Sequence, residues 1–172
     1  MTGPTDLTDR IIALLPRLRR FALTLTRRPD DSDDLVQLSV ERALSRLHHW
    51  HEGTRLDSWM FKIMQNLWID ELRARRSRGQ ADPDVDLDVL GGSDGRETMD
   101  ARLMLQDTLA AVMALPEDQR TVMLLVVVEG HSYKEAAEVL GVPIGTVMSR
   151  ISRARAALEQ RARGPAATEA AP

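Results

Sequence analysis

The sequence has no cysteine, few aromatic residues and no long apolar segment. Without cysteine the chain can form neither disulfides nor thiolate metal sites, and it has no cysteine nucleophile. Aromatic residues make up 3% of the 172 residues, which argues against an aromatic-rich β-sandwich. The longest apolar run, residues 122–128, is far shorter than the roughly 20 residues of a membrane-spanning helix. Residues 1–10 carry Asp6 and Asp9 without the apolar stretch of a secretory signal, so we expect a cytoplasmic protein without membrane insertion.

Patterns typical of catalysis or cofactor binding are also missing. We find no nucleophile–base pair, no phosphate-binding glycine loop and no paired carboxylates, so neither enzymatic activity nor a small-molecule substrate is expected. His48, His49 and His51 form the one cluster that suggests a metal, since a spacing of three could place His48 and His51 on one helical face. No cysteine or convergent carboxylate set completes that site. We interpret the three as solvated loop histidines and expect no metal or cofactor.

The net charge of −3 conceals two basic segments separated by an acidic one. Residues 62–80 carry five basic and two acidic side chains, and residues 131–163 carry six and three. Residues 82–100 carry seven acidic side chains against a single arginine. Because phosphates respond to the local charge more than to the total, an acidic chain of this kind can still bind nucleic acid.

The acidic segment predicts a flexible linker between two small, all-α domains. Residues 79–98 contain Pro83, Gly91, Gly92 and Gly95 and show no helical apolar period. The domains are then residues 1–78 and 99–163, followed by a disordered tail at 164–172 that is rich in alanine and proline. The charge of the linker is interpreted as that of a solvated spacer rather than a docking segment.

Three helices are predicted in the first domain. Apolar residues recur at spacings of three and four between Leu7 and Leu25, with a kink or a second start at Pro16. The acid-rich residues 29–34 predict the start of a second helix. The stripe of this helix that can face the core consists of Val36, Val40, Ala43 and Leu47.

Two leucines of the second helix, Leu35 and Leu38, lie off its core stripe. Their polar neighbours on the same surface are Asp34, Gln37, Glu41 and Arg42. A mixed apolar and charged surface of this kind is typical of a place where another protein docks. The alternative is a wider core face, and periodicity alone does not separate the two interpretations.

The third predicted helix, residues 58–76, brings two tryptophans and a phenylalanine close to a run of arginines. Ring faces and cations are what single-stranded nucleic acid requires. Aromatic residues in helices are more often part of the core, so the residues themselves favour a structural role for Trp59 and Phe61 and an exposed basic end.

The second domain contains the strongest local pattern of the chain. Residues 122–128 favour a buried helix over a strand, because Gly130 ends the run and the neighbouring segments are helical. Ser132 and Glu135 form a capping box, and Gly141 marks a turn before a helix over residues 144–157. The inward stripe of that last helix is Val147, Ile151, Ala154 and Leu158. The side chains left outside are Thr146, Ser149, Arg150, Ser152, Arg153 and Arg155.

Two short helices joined by a glycine turn predict a helix-turn-helix whose second helix enters the major groove. Arginine pairs bidentately with guanine, and serine or threonine holds phosphates or base edges. The alternative is an ordinary helical hairpin with a solvated basic face.

These residues resemble an extracytoplasmic-function sigma factor of bacterial RNA polymerase, the compact type with only sigma regions two and four. In the first half the matching residues are Asp33, Asp34, Leu35, Val36, Gln37, Arg42, Ala43, Trp59, Ile63, Asn66, Asp70, Arg73, Arg75 and Arg76. In the second half they are Leu115, Pro116, Arg120, Gly130, Ser132, Tyr133, Glu135, Ala136, Ala137, Val142, Pro143, Gly145, Thr146, Val147, Ser149, Arg150, Arg153, Ala154 and Arg155. The chain departs from the pattern at residues 126–128 and 64–65, which leaves its promoter sequence open.

The resemblance implies a role for each set of residues. Those implied to bind core polymerase are Asp34, Leu35, Gln37, Leu38, Glu41 and Arg42. Those implied to capture and open the minus-ten promoter element are Trp59, Lys62, Asn66, Arg73, Arg75 and Arg76, together with the loop at residues 51–57. Those implied to read the minus-thirty-five element are Thr146, Ser149, Arg150, Arg153 and Arg155.

The partners implied by the resemblance are bacterial RNA polymerase core, promoter DNA and an anti-sigma factor that covers both domains in a stress or envelope response. Two other functions remain open at this point. A sigma-like decoy would bind an anti-sigma factor without reading DNA, and Arg150 and Arg153 argue against it. A conventional helix-turn-helix repressor or activator would bind duplex DNA without polymerase, although no dimerisation helix is evident.

Overall fold

The computed structural model describes residues 4–79 and 107–163, and these residues confirm the all-α class. In chain order the elements are α1 (Pro4–Thr26), α2 (Pro29–Leu44), a 3₁₀ turn (Leu47–His49), α3 (Leu56–Ser77), α4 (107–113), α5 (Glu117–Met123), a π-helical segment (Leu124–Val128), α6 (Tyr133–Leu140) and α7 (Ile144–Arg163). We refer to α1–α3 as the first unit and to α4–α7 as the second unit. Beyond Gly79, the predicted linker lies outside the described residues, as does the predicted tail.

The first unit is a three-helix arrangement in which α1 packs against both α2 and α3. At its centre the rings of Phe21 and Phe61 are 4.7 Å apart, and neither side chain is accessible to solvent. Helix α1 continues through Pro16, which lies on its exposed side, so the predicted second start does not occur. The interpretation of Phe61 as a core residue is therefore confirmed.

Helix α2 buries a wider face than its predicted stripe, because it contacts two neighbours, α1 and α3. Leu35 is only 5% exposed and joins Val36 and Ala43 in the core. The apolar stripe predicted for α2 also extends beyond the end of the helix, since it included Leu47. Helix α2 stops at Leu44, where the N–H of Arg46 turns back to the carbonyl of Ala43. Leu47 consequently lies in the following 3₁₀ turn and is half-buried.

The second unit contains the predicted capping box and turn. The Oγ atom of Ser132 accepts from the N–H of Glu135 at 3.2 Å, and the Glu135 carboxylate accepts from the N–H of Ser132 at 2.7 Å. Gly141 ends α6 with a φ of +66°, a conformation that glycine adopts without steric cost. The predicted burial of residues 122–128 is wrong at its end, since Val127 and Val128 are more than half exposed.

The two units pack against one another. Helix α3 contacts α6, helix α1 contacts α5, and buried side chains of both units belong to one hydrophobic cluster. Within the ranges that the structure describes, no helix combines the length and hydropathy needed to cross a membrane. The fold thus places the outer face of α2 and the helix-turn-helix on the surface, while the N-terminal half of α3 faces the second unit.

Candidate nucleic-acid and protein interfaces

The outer face of α2 is largely polar, and the exposed leucines of this helix are Leu38 and Leu44. Leu38 is 53% exposed, and the Gln37 amide donates to the Glu41 carboxylate at 3.0 Å. Asp34 and Arg42 are also exposed and flank a groove of about 470 Å³ that has Leu38 in its lining. Of the two off-stripe leucines, Leu38 fits the docking interpretation, whereas Leu35 fits the wider core. Leu35 reaches this groove only from beneath.

The start of α3 and the loop before it line a second pocket of about 350 Å³. Trp59 is half-buried in the wall of this pocket, and Lys62 is exposed at its edge. Trp59 therefore packs against the core and also lines the pocket. Asn66, one turn further along α3, is exposed to solvent. The opposite wall belongs to α6 of the second unit and includes Glu135 and Glu138. An aromatic ring, an amine and two carboxylates therefore share one cavity.

The three arginines at the end of α3 differ in their surroundings. Arg75 donates to Glu71 at 2.7 Å and to Asp31 of α2 at 3.2 Å, and its guanidinium lies 5.5 Å from the centre of the Trp68 ring. The hydrogen bond to Glu71 is the main reason why the pKa of Arg75 is raised. Arg75 thus ties α3 to α2. Among the described residues, Arg73 forms a single exposed ion pair, with Asp70 at 3.4 Å.

Arg76 is fully on the surface, and no ion pair joins it to another residue of the described ranges. Its guanidinium is available to an outside phosphate, as is that of Arg73 once the weak pair with Asp70 opens. Arg75 could reach a phosphate only by giving up its contacts with α2. The sequence had presented the three arginines as equivalent.

The helix-turn-helix presents α7 to solvent in the predicted orientation. Val147, Ile151 and Ala154 are buried, and Arg153 and Arg155 are exposed. The half-buried Ser149 donates from its hydroxyl to the carbonyl of Thr146 at 3.0 Å, and Thr146 is half-buried as well.

Arg150 is held in place by α5, because its Nε atom lies 3.1 Å from the Asp118 carboxylate. Its side chain is 23% exposed, whereas those of Arg153 and Arg155 are free of ion pairs within the part of the chain described. Helix α7 therefore presents two exposed arginines without ion pairs among the described residues and a third, Arg150, that is oriented by a carboxylate.

A charged network that sequence reasoning missed joins the two units. Arg17 of α1 lies between two buried carboxylates, 2.7 Å from Asp57 and 2.5 Å from Glu129 of the second unit. Arg20 also binds Glu129, at 2.7 Å, and the Glu129 side chain is only 1% exposed. Arg55 binds Asp57 at 2.8 Å and reaches Glu135 of α6 at 3.3 Å. Residues far apart in sequence meet here, so no local spacing could have predicted the network.

Ion pairing in this network controls the charge of Asp57. Burial alone would raise the pKa of its carboxyl, but hydrogen bonds from Arg55, Arg17 and the N–H of Ser58 outweigh burial and lower the pKa well below its ordinary value. The pKa of Arg55 is raised, chiefly by its hydrogen bond to Asp57. Asp57 and Arg55 are therefore both charged near neutral pH.

His131 forms a second polar contact between the units. Its Nε2 atom lies 2.9 Å from the hydroxyl of Ser58, and its ring centre is 5.6 Å from that of Phe61. His131 is 3% exposed, and its Nδ1 atom has no hydrogen-bond partner among the described residues. Burial first, and then repulsion by Arg55, lowers the pKa of the imidazole, so His131 is neutral in this packing.

The three loop histidines do not converge on a site. His48, His49 and His51 are exposed, and the 3₁₀ turn ends at His49, so His48 and His51 do not share a helical face. Within residues 4–79 and 107–163, no group of three or more histidine, aspartate or glutamate side chains could hold a metal ion.

Two sequence families match the chain, one in each unit. Residues 105–158 match the family described as Sigma-70, region 4, and residues 11–65 match the Sigma2 domain of PhyR. Among curated proteins, the ECF RNA polymerase sigma factor EcfG of Rhodopseudomonas palustris is 37% identical over 153 residues. That alignment covers 89% of this chain and 83% of EcfG.

The chain is also similar to a solved sigma-factor structure. The chain is similar to one in the complex of the sigma factor RpoE with the anti-sigma factor NepR from Bartonella quintana, with a TM-score of 0.76 and 30% identity. The match covers 93% of this chain and 98% of that one. The anti-anti-sigma factor PhyR, solved with NepR from the same organism, shares the fold with a TM-score of 0.56 at 19% identity, over 90% of this chain and 50% of PhyR.

Proposed function

Since this chain belongs to the extracytoplasmic-function (ECF) family of RNA polymerase sigma factors, we propose that its surface is divided between the polymerase core and two promoter elements. The chain directs promoter-specific initiation of transcription. Its own contribution is binding rather than catalysis, and its place of action is the cytoplasm, where the polymerase works. The observation that carries the proposal is the exposed arginine face of α7 in a region 4 unit, combined with a separate sigma2-like unit in the expected order.

The outer face of α2 binds the polymerase core. An exposed leucine within a ring of charged side chains can lose its hydration on docking while the charges set the orientation. Leu38 provides the apolar contact, and Leu35 supports it from the core. The polar groups of this surface are Asp34, Gln37, Glu41 and Arg42.

The pocket at the start of α3 captures the minus-ten element. Opening a duplex requires a surface whose binding energy offsets the lost base stacking, and a tryptophan ring next to an amine provides stacking and a phosphate contact together. Trp59, Lys62 and Asn66 form this surface, and Arg73 and Arg76 hold phosphates beyond it. Arg75 keeps α3 in position through Asp31 and Glu71.

Helix α7 reads the minus-thirty-five element as intact duplex. Arg153 and Arg155 reach outward from the exposed side, and Arg150 is oriented by Asp118 before DNA arrives. Thr146 and Ser149, near the N-terminus of α7, lie where a helix-turn-helix contacts base edges and phosphates.

An anti-sigma factor controls the chain by covering these surfaces. RpoE, to which the chain is similar, was solved in complex with the anti-sigma factor NepR. A protein that embraces both units would block α2 and α7 at once, as expected for control in a stress or envelope response.

Run-off transcription with purified core polymerase on genomic fragments tests the proposal. The wild-type chain should produce discrete start sites, and Arg153→Ala should weaken initiation about tenfold through the loss of a base contact. Arg161→Ala is the matched control, an exposed arginine in the last turn of the same helix, and should leave initiation unchanged. The proposal fails if the wild-type chain gives no specific transcript.

A second candidate, a sigma-like decoy, is favoured by one observation. Residues 11–65 match the Sigma2 domain of PhyR, and PhyR is an anti-anti-sigma factor. A decoy would bind an anti-sigma factor while giving no transcript in the same assay. The exposed Arg153 and Arg155 on α7 favour the promoter-reading function, because a decoy has no use for them.

A further inference from the structure

A third cavity, of about 330 Å³, lies between the two units. Its walls come from the end of α1, the second half of α3, the turn before α5 and α5 itself. Much of the wall is apolar and includes Leu25, Leu72 and Leu115. Pockets that bind small molecules have volumes of roughly 300–1,000 Å³, so this cavity has room for a small organic ligand.

Two arginines, one from each unit, line the cavity and converge on a single backbone carbonyl. Arg27 donates from Nη2 to the carbonyl oxygen of Met113, and Arg120 donates to the same oxygen from Nη1 at 3.3 Å. Among the described residues, no ion pair joins either guanidinium to a carboxylate. Two like charges that share a neutral acceptor repel each other, and an anion beside them would relieve that repulsion.

The electrostatics of Arg120 show that this positive charge is not balanced within the cavity. Burial first, and then repulsion from Arg27, lowers the pKa of Arg120, and attraction by Glu117 is the smallest of these three effects. The carboxylate of Glu117 also lines the cavity, where it accepts from the indole Nε1 of Trp68 at 3.2 Å. Because Arg120 is only 1% exposed, water does little to screen its charge.

Arg27 has an uncommon backbone conformation for a residue with a side chain. Its φ is +61°, at the position directly after α1, where glycine is the common residue. Its Nε atom is buried and has no hydrogen-bond partner in the part of the chain that the structure describes. The bond to Met113 therefore leaves this guanidinium incompletely satisfied, and a further acceptor would stabilise it.

We propose that the cavity binds a small phosphate monoester, with its phosphate on Arg27 and Arg120 and its organic group against the apolar wall. A phosphate monoester carries nearly two negative charges and three acceptor oxygens, so it suits two guanidinium groups better than a single carboxylate does. An inorganic ion would leave the leucines of the wall without a partner. None of the residues proposed to contact DNA or polymerase lines this cavity, so the inference does not depend on the proposed function.

Nuclear magnetic resonance of the full, isotope-labelled chain tests the inference, with phenyl phosphate as the probe. The chain has three tryptophans, and their indole N–H signals report on different places. Trp68 lines the cavity, whereas Trp50 and Trp59 line the pocket at the start of α3. Phenyl phosphate should shift the Trp68 signal in a saturable manner and leave the other two signals unchanged. Inorganic phosphate and phenol, which each offer one half of the probe, should bind about tenfold more weakly.

Arg27→Gln removes one charge from the cavity but keeps an amide that can donate to the Met113 carbonyl. It should weaken the binding of phenyl phosphate about tenfold, through the loss of a charge-assisted hydrogen bond. Arg28→Gln is the matched control, because it makes the same change at the next residue, which is exposed and outside the cavity. Binding to Arg28→Gln should equal binding to the wild type.

Ala114→Phe blocks the cavity while both arginines remain, since Ala114 is exposed at its edge. It should abolish the shift of the Trp68 signal. Trp68 also borders the groove of α2, so this variant identifies which of the two cavities the probe occupies. Should Arg27→Gln fail to fold, as seen from its Trp50 and Trp59 signals, Ala114→Phe decides the question.

Loss of the Trp68 shift in Arg27→Gln and Ala114→Phe, with Arg28→Gln unchanged, supports the inference. A wild-type chain whose Trp68 signal shows no saturable shift overturns it, as does a shift that survives in Ala114→Phe. Equal binding of inorganic phosphate would mean an adventitious ion only, and equal binding of phenol would mean an apolar site without a role for the arginines. Either result also overturns the inference.

Discussion

Arg120 of the second unit donates from its Nε atom to the backbone carbonyl of Thr24 in the first unit, at 2.6 Å. Its guanidinium is 1% exposed and also binds the carbonyl of Leu115 at 2.7 Å. Burial, reinforced by repulsion from Arg27, lowers the pKa of Arg120 to about 10, so the side chain remains charged at neutral pH. A buried cation here is solvated by backbone carbonyls of both units.

Arg120→Ala should lower the free energy of unfolding by about 3 kcal/mol, because it leaves buried carbonyls without donors and removes a large packed side chain. Urea denaturation followed by circular dichroism measures the change. Arg161→Ala should lie within about 0.5 kcal/mol of the wild type, as expected for an exposed position. Equal stability of the two variants would show that the carbonyls of Thr24 and Leu115 find other donors at no cost.

Acid should open the contact between the units through His131. The pKa of this buried imidazole lies below its ordinary value of 6.5, so its contribution to packing is fully present above pH 6.5 and is lost as the pH falls toward the lowered pKa. The groups that face it are Arg55, Asp57, Glu135 and Ser58. Asp57 and Glu135 also have lowered pKa values, so both stay ionised over this range.

With His131 intact, energy transfer between a donor and an acceptor dye on Ser45→Cys and Gln160→Cys, two exposed positions in different units of a chain that has no other cysteine, should therefore fall between pH 7 and pH 5. His131→Gln should be much less sensitive to pH, because glutamine can bind Ser58 but cannot titrate. The exposed loop histidines are present in both proteins and provide the internal control. A pH response that is identical in the two chains would assign the titration to another group.

The sequence predicted the fold better than it predicted the sites. The spacing of apolar residues predicted which segments are helical, and the capping box of Ser132 and Glu135 predicted the residue at which α6 begins. Both signals depend only on residues that are close in sequence. Periodicity could not decide whether Leu35 faced the core, since the answer depends on how many helices pack against α2. The ion pairs of Glu129 with Arg17 and Arg20 each join residues more than 100 positions apart in sequence, so only the tertiary structure reveals them.

The two leucines of α2 should respond differently to a charge. Leu38→Asp should abolish binding to core polymerase while leaving the melting temperature nearly unchanged, because Leu38 is 53% exposed. Leu35→Asp should unfold or strongly destabilise the first unit, since it places a carboxylate in the core. Pull-down on immobilised core polymerase, with thermal unfolding in parallel, separates the two effects. Normal polymerase binding by a folded Leu38→Asp protein would remove α2 from the proposed interface.

Arg75 and Arg76 are adjacent in sequence, but we expect Arg75 to stabilise the fold and Arg76 to contact DNA. Arg75→Ala removes ion pairs with Glu71 and Asp31 and a cation–π contact with Trp68, so it should cost about 1–2 kcal/mol of stability. Arg76→Ala removes an exposed guanidinium and should leave stability unchanged.

We expect Arg76→Ala to weaken binding to single-stranded DNA and to reduce the slope of its salt dependence by about one phosphate contact. Anisotropy titrations with labelled single-stranded DNA at several salt concentrations measure that slope. If Arg76→Ala keeps the full slope while Arg75→Ala loses it, the phosphate contact belongs to Arg75, and its bonds to α2 must break on DNA binding.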